Sequence, residues 1–179
     1  MIRFYELFNF SVPESKQCLL EMNIVQSFGR EELLFQIHHM QDDTTHIFWR
    51  KSLELGTFLT IVKGCAQQAN VNATFSTLVN IPGLLDQVDT LCPIQSCKAD
   101  PETLAILRTI INTTFPIDIK KILGMDGHNF EFIIYSNPHQ TLSCSSFFPR
   151  EWSALKPLIS KLVTLAQLDP LYYGYYDLD

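Results

Sequence analysis

A chain of 179 residues, 46% of them apolar and 18% charged, has the composition of one folded domain spanning residues 1–179, which excludes a disordered protein. The formal charge of -6 comes with no run of Lys and Arg longer than two residues, so we expect no nucleic-acid-binding surface. No apolar stretch is long enough to cross a bilayer, and the chain start does not have the pattern of a signal peptide. We therefore expect a cytoplasmic protein that does not enter a membrane.

The first half of the chain predicts an antiparallel meander. Runs rich in strand-forming residues lie at 2–10, 18–25, 32–38 and 46–53, and polar residues between them predict turns. In the third run Leu33, Phe35 and Ile37 share one face, and the residues between them lie on the other. Because the connections are too short for a parallel crossover, neighbouring strands are expected to run antiparallel.

The hydrophobic period changes after residue 54 and predicts a helix over 55–69. Gly56 and Gly64 weaken this prediction, because each costs about 1 kcal/mol relative to alanine inside a helix. A short helix is predicted over 84–91, and residues 92–99 have the character of a linker. The apolar face predicted for the first helix consists of Leu55, Phe58, Leu59, Val62, Cys65, Ala66 and Ala69.

The strongest helix signal begins at Asp100. Asp100 supplies an N-cap acceptor, Pro101 suits the first turn, and Glu102 lies near the positive end of the helix dipole. Phe115-Pro116 is expected to end this helix. Its predicted apolar face consists of Leu104, Leu107, Ile110, Ile111 and Thr114.

The last third of the chain predicts a turn, a hairpin and a closing helix. Gly124-Met125-Asp126-Gly127 makes the turn, and strands follow at 130–135 and 142–148. Pro157 cannot lie deep inside a helix, so a short turn over 151–156 and a regular helix over 157–168 are expected. Together the predicted elements indicate an α+β fold, in which helices pack on one face of an antiparallel sheet built from the meander and the hairpin.

Possible metal ligands are densest around the turn between the third and fourth runs. If the two runs pair, His38 and His46 lie opposite each other with Asp42 and Asp43 at the tip, and His39 lies beside them. Imidazole and carboxylate groups suit several divalent metals. The spacing matches no specific motif, and a solvated polar turn has the same composition, so no metal ion is predicted here.

No other motif predicts catalysis. The five cysteines, at irregular spacing, favour reduced thiols over a disulfide framework. Cys92 and Cys97 are the pair closest in sequence; a redox pair or half a metal site is possible there, but two independent thiols are favoured. A nucleophile elbow, a phosphate loop and a dinucleotide fingerprint are all missing, so no cofactor and no catalytic residue are predicted.

Two segments are candidates for a partner-binding surface. One is the acidic tip at Asp42 and Asp43, and the other is the tyrosine-rich end of the chain. Tyrosine offers a large contact area with a polar end, although the same side chains can pack back onto the domain. The candidate residues at the chain end are Tyr172, Tyr173, Tyr175, Tyr176, Asp177 and Asp179.

The late part of the chain, from about residue 104 to 168, resembles a loose set of small uncharacterised bacterial proteins. The matching pieces are Phe115-Pro116, the 124–127 turn, the strand at 130–135, Pro149 with Trp152, and the closing helix at 158–165. Many such proteins are regarded as immunity proteins, which bind and neutralise a toxin delivered between competing bacteria. The resemblance is structural and transfers no catalytic residue.

Two functions follow as expectations. The first is a non-catalytic, cytosolic protein-binding domain, an immunity protein that occludes a basic toxin domain with an acidic, tyrosine-bearing surface. The alternative is a small metal-dependent hydrolase that uses the segment from His38 to His46.

Overall fold

The computed structural model describes residues 10–26, 32–72, 78–116, 128–144, 147–168 and 176–177. Its centre is a six-stranded sheet in the order β4-β3-β2-β1-β5-β6, in which all neighbouring strands are antiparallel. The strands are β1 (Ser15–Gln26), β2 (Glu32–Met40), β3 (Thr45–Lys51), β4 (Gln95–Lys98), β5 (His128–Ile134) and β6 (Gln140–Cys144). The predicted α+β fold is confirmed.

Four α-helices accompany the sheet: α1 (Leu55–Ala69), α2 (Leu84–Leu91), α3 (Pro101–Ile111) and α4 (Lys156–Leu165). Short 3₁₀ helices lie at Leu78–Asn80 and Arg150–Leu155, and the second of these is the turn predicted before Pro157. A small parallel pair joins β7 (Phe147–Phe148) to β8 (Tyr176–Asp177). None of the helices in the described ranges is both long and apolar enough to span a membrane.

The main core lies between one face of the sheet and the α3–α4 layer. Cross-strand register brings Ile24 opposite Leu33 and Met22 opposite Phe35, so the alternating apolar side chains of neighbouring strands meet on the same face. This face packs against the second 3₁₀ helix, α3 and α4. The predicted capping of α3 is confirmed, because the Asp100 carboxylate accepts from Thr103 N at 2.7 Å and Pro101 is the first helical residue.

Helices α1 and α2 build a second, smaller apolar cluster with the first 3₁₀ helix. Phe58 and Val62 are buried there as the period predicted, but Leu59 is 48% exposed. The apolar face predicted for α1 is therefore wider than the part of α1 that α2 covers. The expectation of helices on one face therefore describes α3 and α4, whereas α1 and α2 pack mainly against each other.

Three other expectations needed correction. Residues 92–99 are not a linker, because they contain β4, the edge strand of the sheet. The helix that was expected to run to Phe115-Pro116 ends at Ile111, and Thr114 lies beyond it. The hairpin strand predicted to reach residue 148 ends at Cys144, and Phe147–Phe148 pairs with β8 instead. The first predicted strand lies outside the described residues except for Phe10, and so does the 124–127 turn.

The second face of the sheet carries several buried polar side chains. Asn23, Gln36, His38 and Arg50 are all buried on this face. A buried polar group needs a hydrogen-bond partner to offset its lost hydration, so the partners of these side chains bear on what this face of the sheet does.

Candidate functional site

The predicted pairing of the two histidines is confirmed: His38 on β2 lies directly opposite His46 on β3. The rings do not converge on an open site, however. His38 is buried, with Nδ1 2.7 Å from Ser15 Oγ and Nε2 3.1 Å from Gln36 Oε1. His46 instead stacks on Phe48, with ring centroids 6.1 Å apart. Both nitrogens of His38 are therefore occupied by protein groups.

The two aspartates at the tip hold the β2–β3 turn together. Asp42 accepts from the backbone N and the hydroxyl of Thr44 at 3.0 and 2.6 Å, and these bonds lower the pKa of its carboxyl. Asp43 has a φ of 64° and binds Lys16 of β1 at 2.5 Å, which also lowers the pKa of its carboxyl. His39 Nε2 lies 3.5 Å from the same carboxylate. The tip is exposed, but its carboxylates are already engaged in the turn.

The part of the chain that the structure describes contains no candidate metal centre. Within those residues, no set of three or more His, Cys, Asp or Glu side chains is arranged to hold an ion. Cys92 and Cys97 are separate free thiols, as favoured from their spacing, and burial raises the pKa of both. The metal-dependent hydrolase remains a prediction from the sequence alone.

The tyrosine-rich end of the chain lies largely outside the described residues. Tyr172, Tyr173, Tyr175 and Asp179 belong to that part. The backbone of Tyr176 and Asp177 forms β8, which pairs with β7. The prediction of a partner surface at these residues therefore stays a prediction.

The open edge of the sheet at β4 is a feature that the sequence did not reveal. Ala99 N donates to Thr45 O at 2.9 Å, so in the same register Cys97 faces Ile47 and Gln95 faces Trp49 as hydrogen-bonded pairs. The backbone groups of Ser96 and Lys98 consequently point away from β3. Among the described residues no hydrogen bond reaches them, and both residues are exposed.

Two clefts flank this edge. The first, of about 360 Å³, is lined on its apolar side by Leu33, Trp49, Leu53, Leu91 and Pro93, and Gln95 of β4 borders it. The second, of about 540 Å³, has Ile47, Cys97, Ile106 and Leu165 among its lining residues. Leu165, the last residue of α4, borders the second cleft, and the next residue, Ala166, borders the first, so the two clefts are neighbours at the end of α4.

Charged groups surround the larger cleft. Lys161 on α4 donates to Asp100 at 3.0 Å and also to Glu102 at the start of α3, and this contact raises the pKa of Lys161. Lys98 of β4 lies on the same rim. A mainly apolar floor inside a charged rim suits an apolar side chain of a bound peptide, with the backbone of that peptide remaining at the protein surface.

Comparisons with protein-family models, with curated proteins and with solved structures give no match. No family is identified. The resemblance noted in the late part of the chain is therefore untested, and function has to be argued from the geometry of the sites.

Sequence reasoning missed the β4 edge for a physical reason. The strand is only four residues long and lies between Pro93 and Asp100-Pro101, a context typical of a loop. Its hydrophobic pattern is weak, because Gln95, Ser96 and Lys98 are polar. Only pairing with β3 makes these residues a strand, and that pairing is decided by the tertiary fold.

Proposed function

We propose that this chain is a protein-binding domain that receives an extended segment of its partner along β4. The observation that carries the proposal is the pair of outward-pointing backbone groups of Ser96 and Lys98 at the sheet edge, which no hydrogen bond from another described residue reaches. Strand addition at such an edge is a recurrent mode of peptide recognition, in which backbone hydrogen bonds supply affinity and alternate side chains supply specificity.

The spacing of the two clefts fits an added strand. Gln95 borders one cleft and Cys97 the other, and both residues lie on the face of the sheet that packs against α4. Two residues along a strand span roughly 6.6 Å and point to the same face. A bound strand would therefore place its side chains i and i+2 over neighbouring clefts.

The clefts and the charge of the chain define the partner segment. Apolar side chains at positions i and i+2 match the floors formed by Trp49 and Leu53 on one side and by Ile47 and Ile106 on the other. The overall charge of -6 favours a basic partner, because complementary charge accelerates encounter. The occupant is thus an extended segment of a basic protein with alternating apolar residues.

Replacement of Ser96 by proline tests this binding mode. Proline removes the outward amide and adds bulk at the edge, whereas the ladder to β3 does not use that amide. Peptides selected from a display library against the wild type should shift the amide NMR resonances of Ser96 and Lys98. The Ser96→Pro variant should no longer bind these peptides. Lys63→Ala, at an exposed position on α1, is the matched control. Selected peptides that perturb a different surface would overturn the proposal.

A more specific version of this proposal is that the chain is an immunity protein and its partner a toxin. The resemblance of the late part of the chain supports this version. A basic toxin domain would supply the partner segment. Co-expression with a toxin encoded beside the gene should protect cells, and the Ser96→Pro variant should lose protection while keeping its melting temperature. A gene neighbourhood without a toxin, or equal protection by the variant, would count against this version.

A further inference from the structure

The backbone at the start of β1 is unusual on both sides of Ser15. Glu14 has a φ of 62°, in the left-handed region that residues other than glycine seldom adopt. After Ser15 the register of β1 on β2 shifts, so that Lys16 faces no residue of β2. Irregularities of this kind re-aim side chains and are over-represented beside active sites.

Ser15, His38 and Gln36 form a continuous chain of hydrogen bonds. The Ser15 Oγ–His38 Nδ1 distance is 2.7 Å, and the His38 Nε2–Gln36 Oε1 distance is 3.1 Å. Because a carbonyl oxygen can only accept, Nε2 carries the proton and Nδ1 accepts from the Ser15 hydroxyl. Gln36 and His38 are two residues apart on β2, so their side chains share one face. A nucleophile bonded to a base that a third group orients is the arrangement used in covalent catalysis.

The surroundings of His38 favour its role as a base. Burial lowers the pKa of His38 below its ordinary value, so the imidazole is neutral near pH 7, while Glu21 opposes this shift. The same Glu21 carboxylate would stabilise the imidazolium formed when His38 takes a proton. The other groups that face the ring are Cys18 on β1 and His46 on β3, together with Phe48, whose ring centroid lies 5.7 Å away.

Cys18 is the rival nucleophile, since it lies directly opposite His38 in the register. Its thiol does not bond to His38, because Sγ lies 3.6 Å from Leu20 O and 3.9 Å from Glu21 Oε1. Burial and the Glu21 charge raise the pKa of Cys18 to about 12. A protonated thiol is a poor nucleophile, so Ser15 is the better candidate.

Ser15 can be reached from one side of the sheet. β5 pairs with β1 only from Leu20 onwards, so within the described ranges the first residues of β1 are in register with β2 alone. Ser15 is half-buried, and the neighbouring Lys16 and Gln17 are exposed. Lys16 is also the residue that follows the nucleophile, the position whose backbone amide contributes to the oxyanion hole in many serine hydrolases.

We propose that Ser15 is the nucleophile of an acyl-transfer site for carboxylic esters, with His38 as general base and Gln36 as a positioning residue. Ser15 Oγ forms a bond to the acyl carbon while its proton passes to His38 Nδ1. The bond from the acyl carbon to the leaving oxygen breaks, and that oxygen takes the proton from His38. Water then attacks the acyl carbon with His38 as base, the bond to Oγ breaks, and the proton returns to Ser15. The products are a carboxylic acid and an alcohol.

The orienting group limits the substrate class. Gln36 fixes the tautomer of His38, but a neutral amide stabilises the imidazolium less than a carboxylate does. A base of this strength suits esters with good leaving groups better than amides, whose leaving nitrogen must be protonated. This activity does not depend on the proposed binding function, because Ser15 lies on β1 and the binding edge is β4, on the far side of β2 and β3.

Diisopropyl fluorophosphate is the probe for the test, since its phosphorus accepts the serine oxygen and releases fluoride. The full chain should become labelled at Ser15, as mapped by peptide mass spectrometry, and Ser15→Ala should abolish labelling. His38→Gln should slow labelling by about 100-fold or more, because general base catalysis is worth at least that factor. Ser143→Ala, at an exposed serine of β6, and Ser96→Pro should both label like the wild type.

The pH profile separates catalysis from a structural role. The labelling rate of the wild type should rise with pH until His38 is deprotonated and then reach a plateau. Gln36→Glu adds a charge beside Nε2, so it should move this rise to higher pH, while Gln36→Ala should slow labelling. Circular dichroism of each variant reports whether it is folded. No label at Ser15 in the folded wild type, or equal labelling of folded His38→Gln, would overturn the proposal.

Discussion

Arg50 on β3 donates from Nη2 to the carboxylate of Asp89 on α2 at 2.7 Å, which joins the sheet to the α1–α2 cluster. Arg50 is 4% exposed, whereas Asp89 is 64% exposed. The guanidinium also lies over the ring of Phe10, at 5.7 Å from its centroid. A charge as deeply buried as this one depends on its partner, because the partner offsets part of the lost hydration.

Asp89→Ala should therefore destabilise the protein by about 2 kcal/mol, the value of a hydrogen bond to a charged group. Urea denaturation of the variant gives the free energy of unfolding. Gln87→Ala, at an exposed position of the same helix, is the control and should change it by less than about 0.5 kcal/mol. An Asp89→Ala variant as stable as the control would show that water solvates Arg50 adequately.

Gln140 fastens the segment after α3 to the first residue of β6. Its side chain is buried, accepts from Phe115 N at 2.8 Å and donates to Thr113 O at 2.9 Å. Gln140→Leu keeps a side chain of similar volume but leaves the Phe115 amide without its acceptor. We therefore expect the free energy of unfolding to fall by about 1–3 kcal/mol. Thermal denaturation measures the loss. Thr141→Val, at an exposed neighbouring position, should leave the midpoint almost unchanged.

Two glycines should respond to alanine in opposite directions. Gly64 lies inside α1, and a Cβ atom there would meet nothing within 4 Å, so Gly64→Ala should stabilise the helix by about 0.5–1 kcal/mol. Gly83 has an equally open surrounding but a φ of 74°, so Gly83→Ala should be destabilising. Denaturant midpoints of both variants, measured side by side, check the pair. The same sign for both would refute the argument from backbone conformation.

Glu32 should make stability fall as the pH rises. Burial, followed by the charge of Glu131, raises the pKa of Glu32 to about 7. The folded state therefore binds this proton more tightly than the unfolded state does, and the stabilisation present at low pH is lost as the pH rises from about 4.5 to about 7. Glu32→Gln should remove this loss and be more stable than the wild type by about 1–2 kcal/mol at pH 8, allowing for the solvent that reaches the carboxylate.

The free energy of unfolding of both proteins, measured from pH 4 to pH 8, tests this sign. The difference between variant and wild type should be small at pH 4 and should grow towards pH 8. Glu54→Gln, at an exposed site beside α1, should show no such growth. A difference that shrinks with rising pH would mean that Glu32 is stabilised as a carboxylate.

The sequence by itself determined the local structure of this protein. The cap at Asp100, the break at Pro157 and the change of period after residue 54 are signals carried by a few neighbouring residues, and each was found where it was predicted. Alternation likewise predicted that Leu33, Phe35 and Ile37 share one face of β2, and these three residues lie in the main core; Leu34, Gln36 and His38 on the other face are buried as well. Such features depend on backbone sterics and on the side-chain period, which act over one or two turns.

Only the tertiary structure decided which distant residues meet. Gln95–Lys98 is a strand because it pairs with β3, and the outward direction of Ser96 follows from that register. The register shift in β1 pairs Ser15 with Met40, two residues from His38 on β2, and Ser15 Oγ lies 2.7 Å from His38 Nδ1. Neither the residue types nor their spacing in the sequence predicts that contact. Contacts across 20 or more residues depend on strand order and register, which are set by burial of the whole sheet.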